Sequence, residues 1–188
     1  QSGGVFTQDG GAVFNEGSAD VDFRVESNDD THMLFVDAGN NHVNIKASAD
    51  LGGVLNVSGT TVIQTSDNAD TLSLISTDTD ANAGPNLNLY RNAGNGADAD
   101  NLATIAFAGN DDAGNATDFA IITAQIDDAS NGSEDVYVHH KSMVAGTERL
   151  RMSLLQAETV FNEDSIDLDF RVESNGNANM LFVDGGNN

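Results

Sequence analysis

The chain contains no cysteine and no tryptophan, one proline, and only 7 basic residues against 30 acidic residues among its 188 positions. The absence of cysteine excludes disulfide bonds and thiolate catalysis. A net charge of −23 argues against a nucleic-acid-binding surface and against binding to an anionic membrane, since both need clustered Lys and Arg. No run approaches the roughly 18 apolar residues of a membrane-spanning helix, so membrane insertion is not expected.

Short alternating apolar runs, bounded by Gly, Asn, Asp or Ser, make up most of the chain. Alternation with turn residues at both ends indicates β-strands. The best helical candidate, Thr147–Glu158, fits an alternating strand better than a helix. We therefore predict an all-β fold of short antiparallel strands and hairpins. The predicted strands contain the runs Val21-Phe23-Val25, Val43-Ile45, Leu72-Leu74, Leu87-Leu89, Ile105-Phe107, Ala120-Ile122-Ala124-Ile126, Val136-Val138 and Leu150-Met152-Leu154.

One segment of the sequence occurs twice. Residues Val13–Asn41 recur as Val160–Asn188 at a constant offset of 147, without a gap. The second copy carries Asn175-Gly176 between two apolar runs, and this dipeptide is the strongest short signal for a two-residue hairpin turn. The first copy has Asn28-Asp29 there, and both residue types tolerate positive φ. Each copy is therefore predicted to be a β-hairpin.

A two-residue turn at Asn28-Asp29 predicts the register of the first hairpin. The predicted cross-strand neighbours are Val25 with His32, Phe23 with Leu34, and Val21 with Val36. The returning strand is apolar on both faces, and a lone two-stranded hairpin is only marginally stable in water. Either the rest of the chain or another copy of it must cover these faces. The predicted core of the repeat is Val21, Phe23, Val25, Met33, Leu34, Phe35 and Val36, with Leu168, Phe170, Val172, Met180, Leu181, Phe182 and Val183 in the second copy.

The repeat suggests three segments along the chain. Residues 1–58 form an N-terminal hairpin or stalk module that contains the first copy, residues 59–158 a central β domain, and residues 159–188 the second copy. A further hairpin is predicted in "VLNVSGTTVI", turning at Ser58-Gly59. The central domain is expected to be β-sandwich-like. The absence of a starting Met and an end inside a repeat lead us to expect a piece of a longer polypeptide.

Motifs that could carry chemistry are weak. "DTDANAG" has oxygen ligands at alternate positions, but it lacks the glycine and the final glutamate of a calcium-binding EF-hand loop. His139 and His140 are adjacent on a predicted strand and point to opposite faces, so they do not chelate one ion together. His32 is replaced by Asn179 in the second copy. No catalytic, cofactor-binding or metal-binding residue is predicted.

The ordered series "VFNE", "DFRVES", "MLFVDAGN", "HVNIKAS" and "LNVSGT" resembles the repetitive tail-fibre proteins of marine bacteriophages. The resemblance covers nearly the whole chain, including "LSLISTDTDANAGPNLNLYRNAG" and "MVAGTERLRMSL". Such fibres often end in a self-cleaving chaperone domain, which nothing in this sequence matches. They commonly carry Val-Gly-Ile-Gly-Thr after the hairpin, where this chain has Asn44 and Lys46 at the glycine positions.

The resemblance implies an extracellular, non-enzymatic virion protein. It would be an elongated homotrimer in which hairpin modules flank the central domain, and it would form or project a host-attachment device. Other virion proteins and a host surface glycan or protein are the further partners that it implies. Two alternatives remain open: an adhesin or surface-filament subunit of a marine or halophilic microbe, and a tailspike-like glycan-degrading enzyme. An enzyme of that kind needs two carboxyl groups at a defined separation, and it would stack sugars on aromatic residues, which make up only 6% of this chain.

Overall fold

The structure is a computed structural model that describes residue 4, residues 7–48 and residues 51–186. The predicted all-β class is confirmed: the described residues form eleven strands and no helix. The chain divides into two compact units, Gln1–Asp78 and Thr79–Asn188. The three segments predicted from the repeat stay predictions.

Unit 1 contains a four-stranded sheet in the order β1-β2-β3-β4. The first three strands are antiparallel neighbours, whereas β4 lies parallel to β3. The hairpin predicted at Ser58-Gly59 is therefore wrong, because β4 pairs with β3 instead of with the residues that follow it. Backbone hydrogen bonds from Val43 N to Val54 O and from Ser58 N to Ile45 O extend this parallel ladder at its two ends. The strands are β1 (Phe23–Val25), β2 (Leu34–Asp37), β3 (His42–Ile45) and β4 (Leu55–Val57).

Unit 2 contains a five-stranded antiparallel meander in the order β5-β6-β7-β8-β9, followed by the two-stranded hairpin β10-β11. Thr147–Glu158, the best helical candidate, supplies strand β8. The sequence predicted a sandwich-like domain; within one chain, strands β5 to β9 form a single sheet. The strands are β5 (Asn101–Asn110), β6 (Ala116–Asp128), β7 (Asp135–Val144), β8 (Thr147–Leu154), β9 (Thr159–Phe161), β10 (Phe170–Ser174) and β11 (Asn177–Val183).

Between β4 and β5 the chain forms no strand. We call residues 59–96 the open segment, because all of them are described and none belongs to a sheet. The strands predicted at Leu72-Leu74 and Leu87-Leu89 are therefore absent from the single chain. A strand needs a neighbour to satisfy its backbone groups, and within one chain these runs have none.

Very little of the chain is buried. Ala47 is the only buried apolar residue in the part that the structure describes. The accessible surface is 14,695 Å², whereas a folded monomer of 19.6 kDa exposes about 8,600 Å². The excess, on the order of 6,000 Å², shows that one chain does not close its own hydrophobic core.

Candidate functional site

The two copies of the repeat fold into the same hairpin. Phe23 lies opposite Val36 in the first copy, and Phe170 lies opposite Val183 in the second, again at the offset of 147. The register predicted for the first copy is wrong by two residues, because Phe23 was expected opposite Leu34. A shift of two residues leaves every side chain on its predicted face, since side chains alternate with period two.

The shift has one local cause in both copies. The chain does turn at the predicted dipeptides: Ser27 N donates to Asp30 O at 2.8 Å, and Ser174 pairs with Asn177. Immediately afterwards the Asp30 side chain accepts a hydrogen bond from His32 N at 2.7 Å. The Asn177 side chain accepts the same bond from Asn179 N at 2.8 Å. This second small turn adds two residues to the returning strand before regular pairing begins.

The predicted repeat core lies on these hairpins but remains open to solvent. Ten of its fourteen residues are between 36% and 62% exposed, and none of the fourteen is buried. The four partly buried residues are Leu34, Phe35, Leu168 and Phe170. Two hairpins with apolar residues on both faces therefore stand uncovered on the single chain, and we call them the assembly hairpins.

Each assembly hairpin carries a contact between two phenylalanine rings that the sequence analysis did not predict. The ring centroids of Phe14 and Phe23 are 5.1 Å apart, and those of Phe161 and Phe170 are 5.0 Å apart, with nearly equal tilts. The recurrence of "VFN" ahead of both hairpins was the available signal. The tripeptide was not included in the predicted repeat core, because that core was taken from the alternating apolar runs and the tripeptide lies outside them.

An asparagine positions the first ring of each pair. Asn15 and Asn162 both adopt φ of 62°, in the left-handed region. Asn15 Nδ2 donates to Ala19 O at 2.7 Å, and Asn15 Oδ1 accepts from Ala19 N at 3.0 Å. Asn162 makes the same two bonds with Ile166 at 2.8 and 3.3 Å. The side chain thus closes a loop that turns the chain from the phenylalanine towards the hairpin.

Asn162 offers a direct test of this loop. We expect Asn162→Ala to lower the free energy of unfolding by about 1–3 kcal/mol, because it removes two hydrogen bonds and places at positive φ a residue that tolerates this region less well than asparagine does. Asn162→Gly loses the same bonds but keeps the conformation at little cost, so its loss should be smaller. Urea denaturation at one fixed protein concentration measures both. Equal stability of the wild type and both variants would contradict the structural role of Asn162.

Matching shallow grooves lie beside the aromatic pairs. The first has a volume of ≈ 470 Å³ and is lined by Phe14, Asn15, Val21 and Phe23 among others. The second has a volume of ≈ 310 Å³ and is lined by the corresponding Phe161, Asn162, Leu168 and Phe170, together with Arg151 and Met152. Apolar side chains of the assembly hairpins line part of both grooves, so these grooves continue the same uncovered surface.

A buried amide pair holds the parallel strands of unit 1 together. Asn44 and Asn56 are 1% and 4% exposed, and they are cross-strand neighbours on β3 and β4. Asn56 Nδ2 donates to Asn44 Oδ1 at 2.7 Å and to Gly53 O at 2.9 Å. Gly53 N donates to Asn56 Oδ1 at 3.1 Å. These hydrogen bonds therefore supply partners for amide groups that are buried between the two strands. An apolar residue at either position could not supply them.

The ionisable groups serve mainly in turns. The Asn115 side chain, followed by its backbone amide, holds the pKa of Asp111 below its usual value. Burial, followed by the charge of Lys141, lowers the pKa of His139, whose Nδ1 lies 3.1 Å from Ser153 Oγ. Among the described residues, no group of three or more His, Asp or Glu side chains is arranged to hold a metal ion. These groups stabilise loops and cross-strand contacts.

The comparisons with known proteins identify no relative. No protein-family model, curated protein or solved structure matches the chain. The described residues also contain no helix with the length and apolar character needed to cross a membrane.

Proposed function

We propose that this chain is a non-enzymatic structural subunit of an extracellular virion fibre, a tail fibre or a capsid or tail appendage, that assembles as a homotrimer and forms or projects a host-attachment device. The observation that carries the proposal is the accessible surface of 14,695 Å² on a chain with one buried apolar residue among those described. A stable protein–protein interface buries about 1,200–2,000 Å² in total, and obligate interfaces bury about 2,000–5,000 Å² or more. The excess surface of one chain is ample for contacts with two neighbours.

The distribution of apolar residues supports the same proposal. The assembly hairpins occur twice, 147 residues apart, with the same register, aromatic pair and asparagine loop. Repeated modules that cannot bury their own apolar faces are stabilised by contacts with other modules. A repeated, uncovered hairpin is therefore suited to building a long assembly, and the resemblance of the motif series to phage tail fibres supports a virion fibre as that assembly.

The charge of the chain sets the condition under which such an assembly is stable. A trimer carries a net charge of −69, three times the net charge of one chain. At 1 M salt the Debye length is about 3 Å, compared with about 8 Å at physiological ionic strength, so repulsion between copies is more strongly screened. We therefore expect salt to favour assembly.

Multi-angle light scattering at 0.15 M and 1 M salt tests the proposal. The expected mass is three times that of the 19.6 kDa chain, with dissociation on dilution occurring more readily at the lower salt concentration. A stable monomer at both salt concentrations would overturn the proposed function. It would show that the chain in solution covers its own apolar surface, as an isolated binding or adhesion domain does.

A further inference from the structure

The open segment contains three apolar runs that resemble strands in sequence but have no neighbour in structure. They are residues 60–66, 71–77 and 86–90, "TTVIQTS", "TLSLIST" and "NLNLY". Their large side chains face solvent: Leu72 is 62% exposed, Ile75 81% and Tyr90 75%. In a monomer, a loop of this length without secondary structure is uncommon and calls for a functional explanation.

The backbones of the three runs lack strand pairing as well. In the part of the chain that the structure describes, residues 60–66, 71–77 and 86–90 make no backbone–backbone hydrogen bond. Most hydrogen bonds of the open segment lie in the turns between runs, whereas Arg91, after the last run, donates from Nη1 to Asn101 O at 3.1 Å. Thr65 Oγ1 donates to Asp67 Oδ1 at 2.6 Å, Ala69 N donates to the same oxygen at 3.0 Å, and Asn82 N donates to Asp80 Oδ1 at 2.7 Å. The turns are thus formed, while the runs between them lack the ladder that a strand requires.

Charge indicates what covers these runs. None of the three contains Asp, Glu, Lys or Arg, although the turns between them carry Asp67, Asp70, Asp78 and Asp80. A basic partner would be recognised by acidic side chains, which the runs lack. A second copy of this chain, which carries a net charge of −23, can approach closely only where carboxylates are absent. The runs are the uncharged surface that such an approach requires.

The chain also offers an edge to which a strand can be added. Strand β5 is ten residues long and pairs with β6 along one edge only, because it ends the order of its sheet. Leu102, Ile105 and Phe107 on this strand are between 37% and 56% exposed. A long, apolar edge strand that carries no protecting charge is a template for pairing with another chain.

We infer that the open segment supplies β-strands to a neighbouring copy of the same chain, so that its apolar runs pair with sheet edges of that copy, of which β5 is the longest. This inference rests on the proposed function, because it needs the assembly to exist. It adds that the contact between copies is made through backbone ladders as well as through the assembly hairpins. The open segment is then ordered by assembly.

Amide hydrogen exchange on the full chain, at the protein concentration used for light scattering, tests the inference. We expect alternate amides of the runs, such as those of Leu87 and Leu89, to be protected in the trimer, because a strand added to one sheet edge pairs every second amide with that edge. They should lose that protection when the trimer is diluted to monomers. A trimer with unprotected runs would overturn the inference and leave the proposed function standing. Protected runs in a monomer would overturn both, because the chain would then be covering its own runs.

A pair of matched variants gives a second test that does not depend on amide exchange. Leu89→Asp places a carboxylate on the apolar side of a run, and Asn88→Asp places the same charge one residue away on its polar side. We expect Leu89→Asp to raise the dissociation constant of the assembly at least tenfold relative to Asn88→Asp. Retained amide protection in β6 and β7 would show that unit 2 still folds in both variants. Equal dissociation constants would overturn the inference.

Discussion

Replacing Phe182 with Asp is expected to convert the proposed trimer into monomers at micromolar concentration. Phe182 is 44% exposed on the single chain, on the same face of the second hairpin as Met180. Burying a phenylalanine stabilises an assembly by roughly 1.5–3 kcal/mol, whereas burying a carboxylate costs a desolvation penalty that an ion pair with Arg171, the residue opposite, need not repay. Each trimer contains three such positions, so the loss is incurred three times. Light scattering across a dilution series measures it.

Two controls make the Phe182 result specific. Phe182→Leu keeps an apolar side chain and should leave the mass of the assembly unchanged, since such swaps usually cost less than about 1.5 kcal/mol. Asn179→Asp adds the same charge on the same strand, near the turn, and should weaken assembly far less. Trimers of undiminished stability in Phe182→Asp would count against a shared core built from the assembly hairpins.

Phe35→Asp, the corresponding change in the first copy, should disrupt assembly and also destabilise unit 1. Phe35 is partly buried on β2, between β1 and β3, and its ring meets His32 edge-on with centroids 5.0 Å apart. Thermal unfolding of the dissociated chain separates the two effects. The melting temperature of that chain should fall for Phe35→Asp, whereas amide protection in β1–β4 should be retained in Phe182→Asp.

Asn56→Ala is expected to produce the second large effect, a loss of about 1–3 kcal/mol from the stability of unit 1. The substitution removes the three hydrogen bonds of the Asn56 side chain and leaves Asn44 Oδ1 without that donor at a position only 1% exposed. Exchange of the Val43 and Ile45 amides should accelerate, since these residues pair with β4. Chemical denaturation and hydrogen exchange measure the two consequences.

A double substitution and a surface control complete this experiment. Asn44→Ala combined with Asn56→Ala should cost less than the sum of the two single variants, because removing both partners leaves no orphaned polar group. Asn68→Ala changes an exposed amide and should lie within about 0.5 kcal/mol of the wild type. Strict additivity of Asn44 and Asn56 would show that the two amides are not coupled.

Most strands were predictable because they alternate. The apolar runs around Phe23, Val43, Ile105, Ile122 and Leu150 all overlap strands of the structure. Alternation, however, fixes only which face a residue occupies. It does not identify the neighbouring strand, and it leaves the register undetermined by multiples of two residues. The two-residue error in the hairpin register arose in this way, because the added turn at Asp30 depends on one side-chain hydrogen bond.

The errors at β4 and in the open segment have a different origin. Strand β4 pairs with β3, and the side chains of Asn56 and Asn44 are hydrogen-bonded to each other across this pair. No pattern in either strand alone specifies that pairing. The runs at Leu72 and Leu87 have the alternation of strands, but a strand exists only where another backbone lies beside it. Sequence patterns indicate the capacity to pair, and the described residues of one chain provide no partner strand for these two runs.

The candidate site was only partly predictable from the sequence. The apolar residues of the repeat identified the assembly hairpins, since both faces of Met33–Val36 were apolar. The rings of Phe14 and Phe161 and the loops closed by Asn15 and Asn162 were missed, because their contacts join residues from outside the alternating runs. Comparison of the two copies position by position would have identified them as shared features.

The scarcity of apolar surface buried within one chain also bears on how quickly the proposed assembly forms. When the hydrophobic contacts lie between copies, folding and association become one reaction, and its rate and apparent stability both rise with protein concentration. A dilute chain would remain for longer in a form with exposed strand edges, which is prone to aggregate. Copies released close together, as from ribosomes on one messenger, should therefore reach the assembled state sooner and in higher yield than copies released far apart.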